Sequence, residues 1–386
     1  MRILMLAPTP YFADRGCHVR IYEEARALIE SGCDVCIVTY HHGRDMPGIP
    51  TFRIPSMPWY QKLTAGPSWF KPLLDILLFI KALSVSRTFR PHLLHAHLHE
   101  GAFIGLLLKL VLRLPLIMDS QGSLTVECRD HGFFRSGSFL EKLFSALENL
   151  INNSADFIIT SSTVGAKLLS EKWGVPTAKL SAVIDGVDTD RFVSYPKSAA
   201  RSRVGVSEDV PLVVFLGLLN EYQGMDVLLK VIQILKEQQS QIRFLIMGYP
   251  YEGYKRKASD LRLDEMVTFT GRIDYSEAAL MLSAGDIAVS PKLSLTEANG
   301  KLFNYMACAL PTVVFDTPVN REILGDTGVY AAFNDAVDMA RQISGIIADK
   351  GLLAKMSLAV RARAVSEHSW KLRAKMLVEL YRQLKE

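Results

Sequence analysis

The sequence predicts an α/β protein built from two Rossmann-like, doubly wound domains that face each other across a cleft. Short apolar strand segments alternate with helical segments along most of the 386 residues, which is typical of parallel sheets covered on both faces. The alternation stops near Asp185 and starts again at Leu212, after a polar stretch that contains two prolines. A chain of this length can also form two domains, each with its own core.

The first half of the chain alternates short apolar strands with longer helices. In the first helix apolar residues recur at helical spacing, and Gly32 ends it. A long polar loop from Asp119 to Gly137 interrupts the alternation. The predicted strands are Ile3–Ala7, Val35–Thr39, Thr51–Ile54, Leu93–Ala96, Leu116–Met118 and Phe157–Thr160. The predicted helices are His18–Glu30, Trp69–Ser86, one that starts at Gly101, and Phe139–Asn152.

The second half repeats the pattern after the turn-rich segment IDGVDTDRF. We therefore assign residues 1–186 to a first domain and residues 187–365 to a second. The predicted strands are Leu212–Leu216, Phe244–Met247, Thr268–Phe269, Ile287–Val289 and a buried strand before Pro318. The predicted helices are Gly224–Glu237, Glu252–Leu261, Ser276–Ser283 and Lys301–Ala309, with further helices in Ala336–Val365 and Trp370–Lys385.

The stretch Ser290–Pro318 is predicted to be strand end, polar loop, short helix and second strand. Its loop then lies at the carboxyl edge of a sheet, where ligands bind in this fold class. Glu297 and Asn299 offer polar side chains, and Gly300 lets the backbone approach a ligand. The start of a helix at Lys301 would favour an anion. The alternative is an ordinary strand-to-helix turn.

Composition excludes several classes of protein. With 49% hydrophobic and 22% charged residues the chain is neither disordered nor fibrous. A net charge of +4 gives no reason to expect nucleic-acid binding. Five cysteines form no disulfide framework, and Cys33 and Cys36 should point to opposite faces of a strand. The N-terminus does not resemble a signal peptide, so we expect a cytoplasmic protein.

Two apolar stretches raise the question of membrane contact. Charged residues interrupt both Trp69–Ser86 and Gly101–Met118, so neither is expected to span a bilayer. Lysine and arginine among large apolar residues could dock on the inner, anionic face of a membrane. The alternative is a pair of helices packed on a sheet with their charges in water.

Several segments together resemble glycosyltransferase family 4, which has the two-domain GT-B fold. They are the glycine-containing loop after the first strand, IDGVDTDRF at the junction, FLGLLNEYQGMDVLL, and EANGKLFNYMACALPTVV. The C-terminal HSWKLRAKMLVELYRQL resembles the last helix of the family, which implies that residues 366–386 pack back on the first domain.

The resemblance implies an enzyme that binds a nucleotide-sugar mainly on the second domain and its acceptor on the first. It implies transfer with retention of anomeric configuration, without a metal or other cofactor, as in polysaccharide or bacterial envelope synthesis. The leaving diphosphate would be stabilised by amides, helix N-termini and basic side chains. Gly16 would lie near the diphosphate, with Arg15 and Arg20 as cations beside it, and Gly217 would approach it from the second domain.

The chain departs from the family at the diphosphate. Members commonly have an Arg just after the glycine that Gly217 matches and a Lys just before the glycine that Gly224 matches. This chain has Leu218 and Gln223 there. Asn304 replaces the second Glu of the usual pair, and Glu297 is one residue out of the usual spacing. Glu297 remains the expected catalytic residue of this loop. The expected donor-binding residues are Gln223, Asn299, Gly300 and Asn304, with Lys301, ahead of Lys292, as the replacement cation.

The first domain departs as well. Many members have a histidine after the strand that matches Leu116–Met118, where this chain reads MDSQGSLTVECRDHGFF. Asp119 or Gln121 is expected to bond a sugar hydroxyl in its place, or His131 from farther along the loop. Asp119 could instead be a turn or cap acid.

Three histidines follow one another at alternate positions along a predicted strand and the turn after it. His95, His97 and His99 should therefore point to one side, where His97 would line the acceptor cleft. The spacing would also suit a metal, but the sequence offers no carboxylate partner beyond Glu100, so we expect no metal site.

Three functions remain open. A glycosyltransferase would act on a glycan, a lipid-linked acceptor or a small molecule. A carbohydrate-binding or scaffold protein could keep the fold after losing catalysis, and a sugar-nucleotide epimerase shares the fold but needs no acceptor.

Overall fold

A computed structural model describes residues 1–13, 16–62, 68–130 and 132–384. It divides into two compact units. The first comprises Met1–Asp185, Thr296–Ala298 and Trp370–Glu386, and the second comprises Gly186–Leu295 and Asn299–Ser369. No helix among the described residues is both long enough and apolar enough to cross a bilayer.

The first unit is built on a seven-stranded parallel sheet. The strands are β1 Arg2–Ala7, β2 Asp34–Thr39, β3 Thr51–Arg53, β4 Leu93–His97, β5 Leu116–Ser120, β6 Phe157–Thr160 and β7 Leu180–Ala182. They lie side by side in the order β3-β2-β1-β4-β5-β6-β7. The order reverses direction between β1 and β4, which is the doubly wound arrangement that the sequence predicts.

Helices cover this sheet and bury their apolar faces on it. They are α1 Gly16–Glu30, α2 Lys71–Phe89, α3 Leu98–Leu112, α4 Leu124–Asp130, α5 Phe139–Ser154 and α6 Thr163–Trp173. Apolar side chains of α2, α3 and α5 form one core with those of β1, β2, β4 and β5. Burying such side chains is the main stabilising contribution to a fold of this kind.

The second unit repeats the design with a six-stranded parallel sheet in the order β10-β9-β8-β11-β12-β13. The strands are β8 Leu212–Leu216, β9 Arg243–Met247, β10 Val267–Gly271, β11 Ile287–Ser290, β12 Thr312–Phe315 and β13 Val329–Ala331. The helices are α7 Lys197–Val204, α8 Met225–Glu237, α9 Glu252–Asp260, α10 Ala278–Leu282, α11 Lys301–Ala307, α12 Pro318–Leu324, α13 Ala336–Ala348 and α14 Lys350–Glu367.

The last helix, α15 Trp370–Gln383, belongs to the first unit. Trp370 and Ala374 form a small apolar cluster with Ala27 of α1. Near its other end the Tyr381 hydroxyl lies 2.6 Å from Nδ1 of His95. The C-terminal residues are therefore fixed to the first sheet by both apolar and polar contacts.

The structure contains elements that the sequence reading missed. The polar loop predicted for Asp119–Gly137 includes α4, and the polar stretch before Pro211 includes α7. Two three-residue edge strands, β7 and β13, were also missed. The helices have seven and eight residues and the strands have three, so each holds too few apolar residues to display a repeat by which periodicity could identify it.

Candidate active site

The second sheet reverses direction between β8 and β11, and polar residues gather where these two strands end. Gly217 follows β8, and Lys292 stands two residues after β11. Ligands of doubly wound sheets bind outside the carboxyl ends of the strands at such a reversal. This point of the second unit is therefore the candidate site for a small ligand.

Three glycines allow the loops at this point to pack closely. Gly217 has φ +152°, and a Cβ on Gly248 would lie 1.7 Å from the Gly217 carbonyl oxygen. A Cβ on Gly224 would lie 1.9 Å from the carbonyl oxygen of Pro291. A side chain at either position would force these loops apart, so the glycines are needed for backbone contact here.

Lys301, the first residue of α11, reaches across this point. Its Nζ lies 2.5 Å from Oε1 of Gln223 and 4.5 Å from the centre of the Phe215 ring. A Cβ on Gly217 would lie 3.2 Å from the same Nζ. Burial, and to a lesser extent the charge of Lys292, lowers the pKa of Lys301. Among the described residues, no carboxylate contributes to this shift in the pKa of Lys301.

Lys292 adds a second cation to the site. The residue is 7% exposed, and its Nζ lies 5.2 Å from the centre of the Tyr222 ring. The backbone is held nearby by a hydrogen bond from Leu293 N to the Tyr222 carbonyl oxygen, at 3.0 Å. Two lysines therefore converge on the end of the second sheet, which suits an anionic ligand.

The Asn299 side chain bonds to neighbouring polar side chains, whereas the sequence predicts that it contacts the ligand. Its side chain is buried and bonded to Ser290 Oγ at 3.0 Å and to Asn320 Oδ1 at 3.2 Å. These bonds hold the loop rather than present the amide to a ligand. Gly300 caps α11, which ends at Ala307 and not at the predicted Ala309. Asn304 is half-buried on this helix.

In the first unit a buried ion pair replaces the expected substrate contacts of Arg20 and Asp119. Arg20 Nε and Nη2 donate to the two carboxylate oxygens of Asp119 at 2.9 and 2.8 Å, and Nη1 pairs with Asp185. Burial lowers the pKa of Arg20, but the two carboxylates outweigh it and raise the pKa. Burial opposes ionisation of Asp119, yet Arg20 and His97 leave its pKa lowered. Both groups are therefore charged and paired.

Asp119 is fully buried and cannot contact a substrate directly. Besides Arg20, its Oδ2 accepts from Gln121 Nε2 at 2.8 Å and lies 3.0 Å from His97 Nδ1. A carboxylate can only accept hydrogen bonds, so the Gln121 amide must turn its nitrogen inward and its carbonyl oxygen away. Gln121 itself is half-buried.

The prediction that His97 lines an acceptor cleft is wrong, because His97 is fully buried. Its ring stacks on His95 with centroids 4.6 Å apart. Burial lowers the pKa of His95, with His97 adding to the effect, and burial raises the pKa of Glu24, whose Oε1 lies 3.2 Å from His95 Nδ1. The expectation that His99 points to the same side is also wrong, since its Nε2 lies 3.2 Å from Asn152 of α5.

The remaining predicted residues lie as follows. Gly16 starts α1 and is exposed, with no atom near the position of a Cβ. Arg15 and His131 lie outside the described residues. Glu297 groups with the first unit, and a Cβ built on Gly122 would lie 3.2 Å from its Oε1. Gly122 therefore makes room for the Glu297 carboxylate.

One group among the described residues is close enough to hold a metal ion, namely Glu24, His95, His97 and Asp119. The sequence reading missed Glu24 and Asp119 as partners of these histidines. The Nε2 atoms of both histidines are buried without hydrogen-bond partners among the described residues. However, Asp119 already accepts from Arg20 and Gln121, and the adjacent guanidinium would repel a cation. The residues therefore fit a hydrogen-bonded core better than a metal site.

Family models match two successive parts of the chain, and both describe glycosyl transferases. Residues 15–186 match the family model described as a glycosyl transferase 4-like domain, and residues 210–349 match that of glycosyl transferases group 1. A GDP-mannose-dependent alpha-(1-6)-phosphatidylinositol monomannoside mannosyltransferase of Mycolicibacterium smegmatis is 29% identical over 300 residues, covering 75% of this chain and 78% of that protein. A D-inositol 3-phosphate glycosyltransferase of Thermobispora bispora is 24% identical over 389 residues, and the match covers 95% of this chain and 89% of that protein.

Solved structures are similar over the whole length. A sucrose-phosphate synthase of Thermosynechococcus elongatus has a TM-score of 0.83 at 20% identity, over 100% of this chain and 99% of that one. HepE of Anabaena, solved with UDP and glucose, has a TM-score of 0.79 at 16% identity. The match covers 98% of this chain and 99% of the HepE chain. These similarities confirm the predicted fold class of two Rossmann-like domains.

Proposed function

Since the chain belongs to the type 4 glycosyltransferases with the GT-B fold, we propose that it transfers a sugar from a nucleoside-diphosphate donor with retention and without a metal. The acceptor is a glycan or a lipid-linked sugar. One observation carries the proposal for the donor: Lys301 lies beside Gly217 at the end of the second sheet, where the charge of Lys292 acts on it.

The leaving diphosphate gains negative charge as the bond to the sugar breaks. A cation that is already in place stabilises this charge without reorganisation, and partial burial strengthens the interaction. Lys301 is in place because Gln223 and the face of Phe215 hold its ammonium group. The Anabaena neighbour was solved with UDP, the kind of leaving group that such a site would bind.

In the first unit we assign the contact with the sugar to Gln121. Asp119 fixes the amide so that its carbonyl oxygen can accept a hydrogen bond from a sugar hydroxyl. Asp119 is then a positioning residue, and Arg20 keeps it charged. Glu297, beside Gly122, is assigned to the sugar as well.

The acceptor side of the proposal rests on exposed apolar helix faces. α3 packs between α2 and α5, and the rings of Trp69 and Phe133 lie 4.7 Å apart. Each of the three helices leaves large apolar side chains in water, and Arg113, Arg135 and Lys142 are exposed nearby. We define this as the α2/α3/α5 surface. Its exposed apolar side chains include Trp69, Phe70, Ile76, Ile80, Phe103, Leu110, Val111, Phe139, Leu143 and Leu150.

Apolar groups with cations around them fit the headgroup region of an anionic membrane. The Mycolicibacterium relative is named for a phosphatidylinositol mannoside acceptor, which is a lipid. A lipid-linked acceptor reached from the cytoplasmic face would explain why the first unit carries this surface.

A donor panel tests the proposal. Purified protein is incubated with UDP-glucose, GDP-mannose or ADP-glucose, with and without a lipid extract of bacterial membranes. We expect at least one donor to release nucleoside diphosphate in an acceptor-dependent way, with a glycosylated lipid detected by mass spectrometry. Glu297→Ala should lower that rate by roughly 10²-fold, as loss of one transition-state contact does elsewhere. Glu322→Ala, in α12 of the second unit, is the matched control.

Two outcomes would contradict the proposal. A donor converted to another sugar nucleotide without acceptor would favour an epimerase. A folded protein that neither turns over a donor nor binds any nucleoside diphosphate would favour a scaffold.

A further inference from the structure

Glu148 of α5 holds the segment that follows β5. The residue is 1% exposed, and no step of the proposed transfer uses it. Its Oε2 accepts a hydrogen bond from Ser123 Oγ at 3.0 Å and another from the backbone N–H of Thr125 at 2.9 Å. These partners are 25 and 23 positions from Glu148 in the chain, so the bonds join separate elements. One buried carboxylate oxygen therefore fixes the segment at two points.

The other carboxylate oxygen of Glu148 also has a polar neighbour. Its Oε1 lies 3.7 Å from Nε2 of His99, in the first turn of α3, and that nitrogen lies 3.2 Å from Asn152 Oδ1. A buried carboxylate needs donors around it, because burial removes its bonds to water. Ser123 and Thr125 supply these donors on one side, and His99 borders the other side. The orientation of the carboxylate is therefore restricted, so Glu148 can serve as a fixed anchor.

The segment that Glu148 holds leads directly to the residue assigned to the sugar. Gln121 lies two positions before Ser123, and its amide nitrogen donates to Asp119 of β5. Gly122 stands between Gln121 and Ser123 and is exposed, and it has no side chain that could pack against the protein. This two-residue stretch is thus anchored by Asp119 on one side and by Glu148 on the other.

We propose that Glu148 is a positioning residue for sugar transfer, and that it acts through Ser123 on Gln121. The inference rests on the proposed function, because the contact between Gln121 and the sugar is part of that function. Glu148 is buried and sets the place of the Gln121 carbonyl oxygen from a distance. Groups that contact a reacting sugar must be held within a fraction of an ångström, so loss of the anchor slows transfer. Nucleotide binding, which is assigned to the second unit, does not depend on it.

Substitutions at Glu148 test the anchor in the full chain, with a donor that turns over in the panel. Glu148→Met removes both acceptor bonds, and we expect it to lower kcat/KM about three- to tenfold. Glu148→Gln should stay close to wild type, because its carbonyl oxygen can accept the same two bonds. The affinity for UDP, GDP or ADP, measured by calorimetry, should change in neither variant. Ser123→Ala, at a half-buried position, removes one bond and should have a smaller effect in the same direction.

A double-mutant cycle separates positioning from a merely structural role. Once Gln121→Ala has removed the contact with the sugar, Glu148→Met should have little further effect on kcat/KM. If Glu148 only stabilised the fold, the two effects would multiply. Ser123→Ala carries the cycle in its place if Glu148→Met does not fold. Glu141→Met is the matched control, because Glu141 lies on the same helix and accepts from the Gly137 N–H at 2.5 Å, away from this segment. It should leave kcat/KM unchanged.

The outcomes separate this inference from the function on which it rests. An unchanged kcat/KM in folded Glu148→Met, or effects that multiply in the cycle, would overturn the inference and leave the glycosyltransferase proposal standing. A loss in Glu148→Gln as large as that in Glu148→Met would also overturn the inference alone. A folded wild-type protein that transfers no sugar from any donor of the panel would overturn both.

Discussion

Asp119 and Gln121 follow the same strand, yet their surroundings differ. The carboxylate is fully buried and paired with Arg20, whereas the amide is half-buried and bonded to that carboxylate through its nitrogen. The Asp119 carboxylate thus orients the Gln121 amide. Of these two groups, only the amide is exposed enough to contact a sugar. The two positions should therefore respond differently to substitution.

Gln121→Ala should impair transfer without affecting the nucleotide. Loss of one neutral hydrogen bond to the sugar is expected to lower kcat/KM about three- to tenfold. The affinity for UDP, GDP or ADP should not change, because the diphosphate is assigned to the second unit. Steady-state kinetics and calorimetry on the same preparation give both values. Weakened nucleotide binding with normal kcat would remove Gln121 from the sugar site.

Asp119→Asn should destabilise the fold. The substitution leaves the buried Arg20 with Asp185 as its remaining carboxylate partner, and loss of one partner of a buried pair costs about 3 kcal/mol. Urea denaturation should report this loss at neutral pH. Asp316→Asn breaks an exposed pair with Arg321 and should leave stability unchanged. Equal stability of the two variants would show that the buried pair does not hold the first unit together.

At the scale of elements, helix α2 pairs its charged side chains within the protein and exposes several of its apolar side chains. One of the two sequence-based alternatives placed the charges in water, but Lys71 pairs with Glu100 at 2.6 Å and Asp75 accepts a hydrogen bond from Tyr40 at 2.6 Å. The side chains left in water include Ile76 and Ile80. Helix α2 is therefore apolar on its exposed face as well as on its buried face. Exposed apolar faces of this kind mark sites that bind a partner or a membrane.

The Asp75 carboxyl should make stability depend on pH. Burial raises its pKa to about 7, although the bond from Tyr40 opposes this. The folded protein therefore keeps this proton at pH values where the unfolded chain has lost it. The contribution of Asp75 to stability should be full below its ordinary pKa of 3.8, fall as pH rises from there to about 7, and then level off. Asp75→Asn should have a flatter profile over this range in urea denaturation, and an identical profile would contradict the assignment.

The α2/α3/α5 surface should bind anionic vesicles. Ile76→Ser, Ile80→Ser and Leu110→Ser combined remove exposed apolar groups without opening a cavity. Co-sedimentation with phosphatidylglycerol vesicles should weaken about tenfold or more. The exposed Val337→Ser and Leu358→Ser of the second unit form the control. Equal sedimentation of the two variants would exclude this surface as the docking site.

At the scale of the whole molecule, the sequence predicts the two sheets well because parallel strands are continuous apolar runs. It also identifies Lys301 as a candidate cation. It does not reveal what Lys301 contacts, since Gln223 is 78 residues away, nor that Asp119 pairs with Arg20, 99 residues away. The bond between His95 and Tyr381 joins residues 286 positions apart. Such pairs depend on the packing of elements that local patterns do not specify, which is why the predicted roles of Asp119, Asn299 and His97 needed revision.

A crystal structure of the full chain with UDP or GDP tests the central claim most directly. We expect the diphosphate to lie at the end of β8, beside Gly217, with a phosphate oxygen within hydrogen-bonding distance of Lys301 Nζ. A nucleotide bound away from both Lys301 and Gly217 would contradict it.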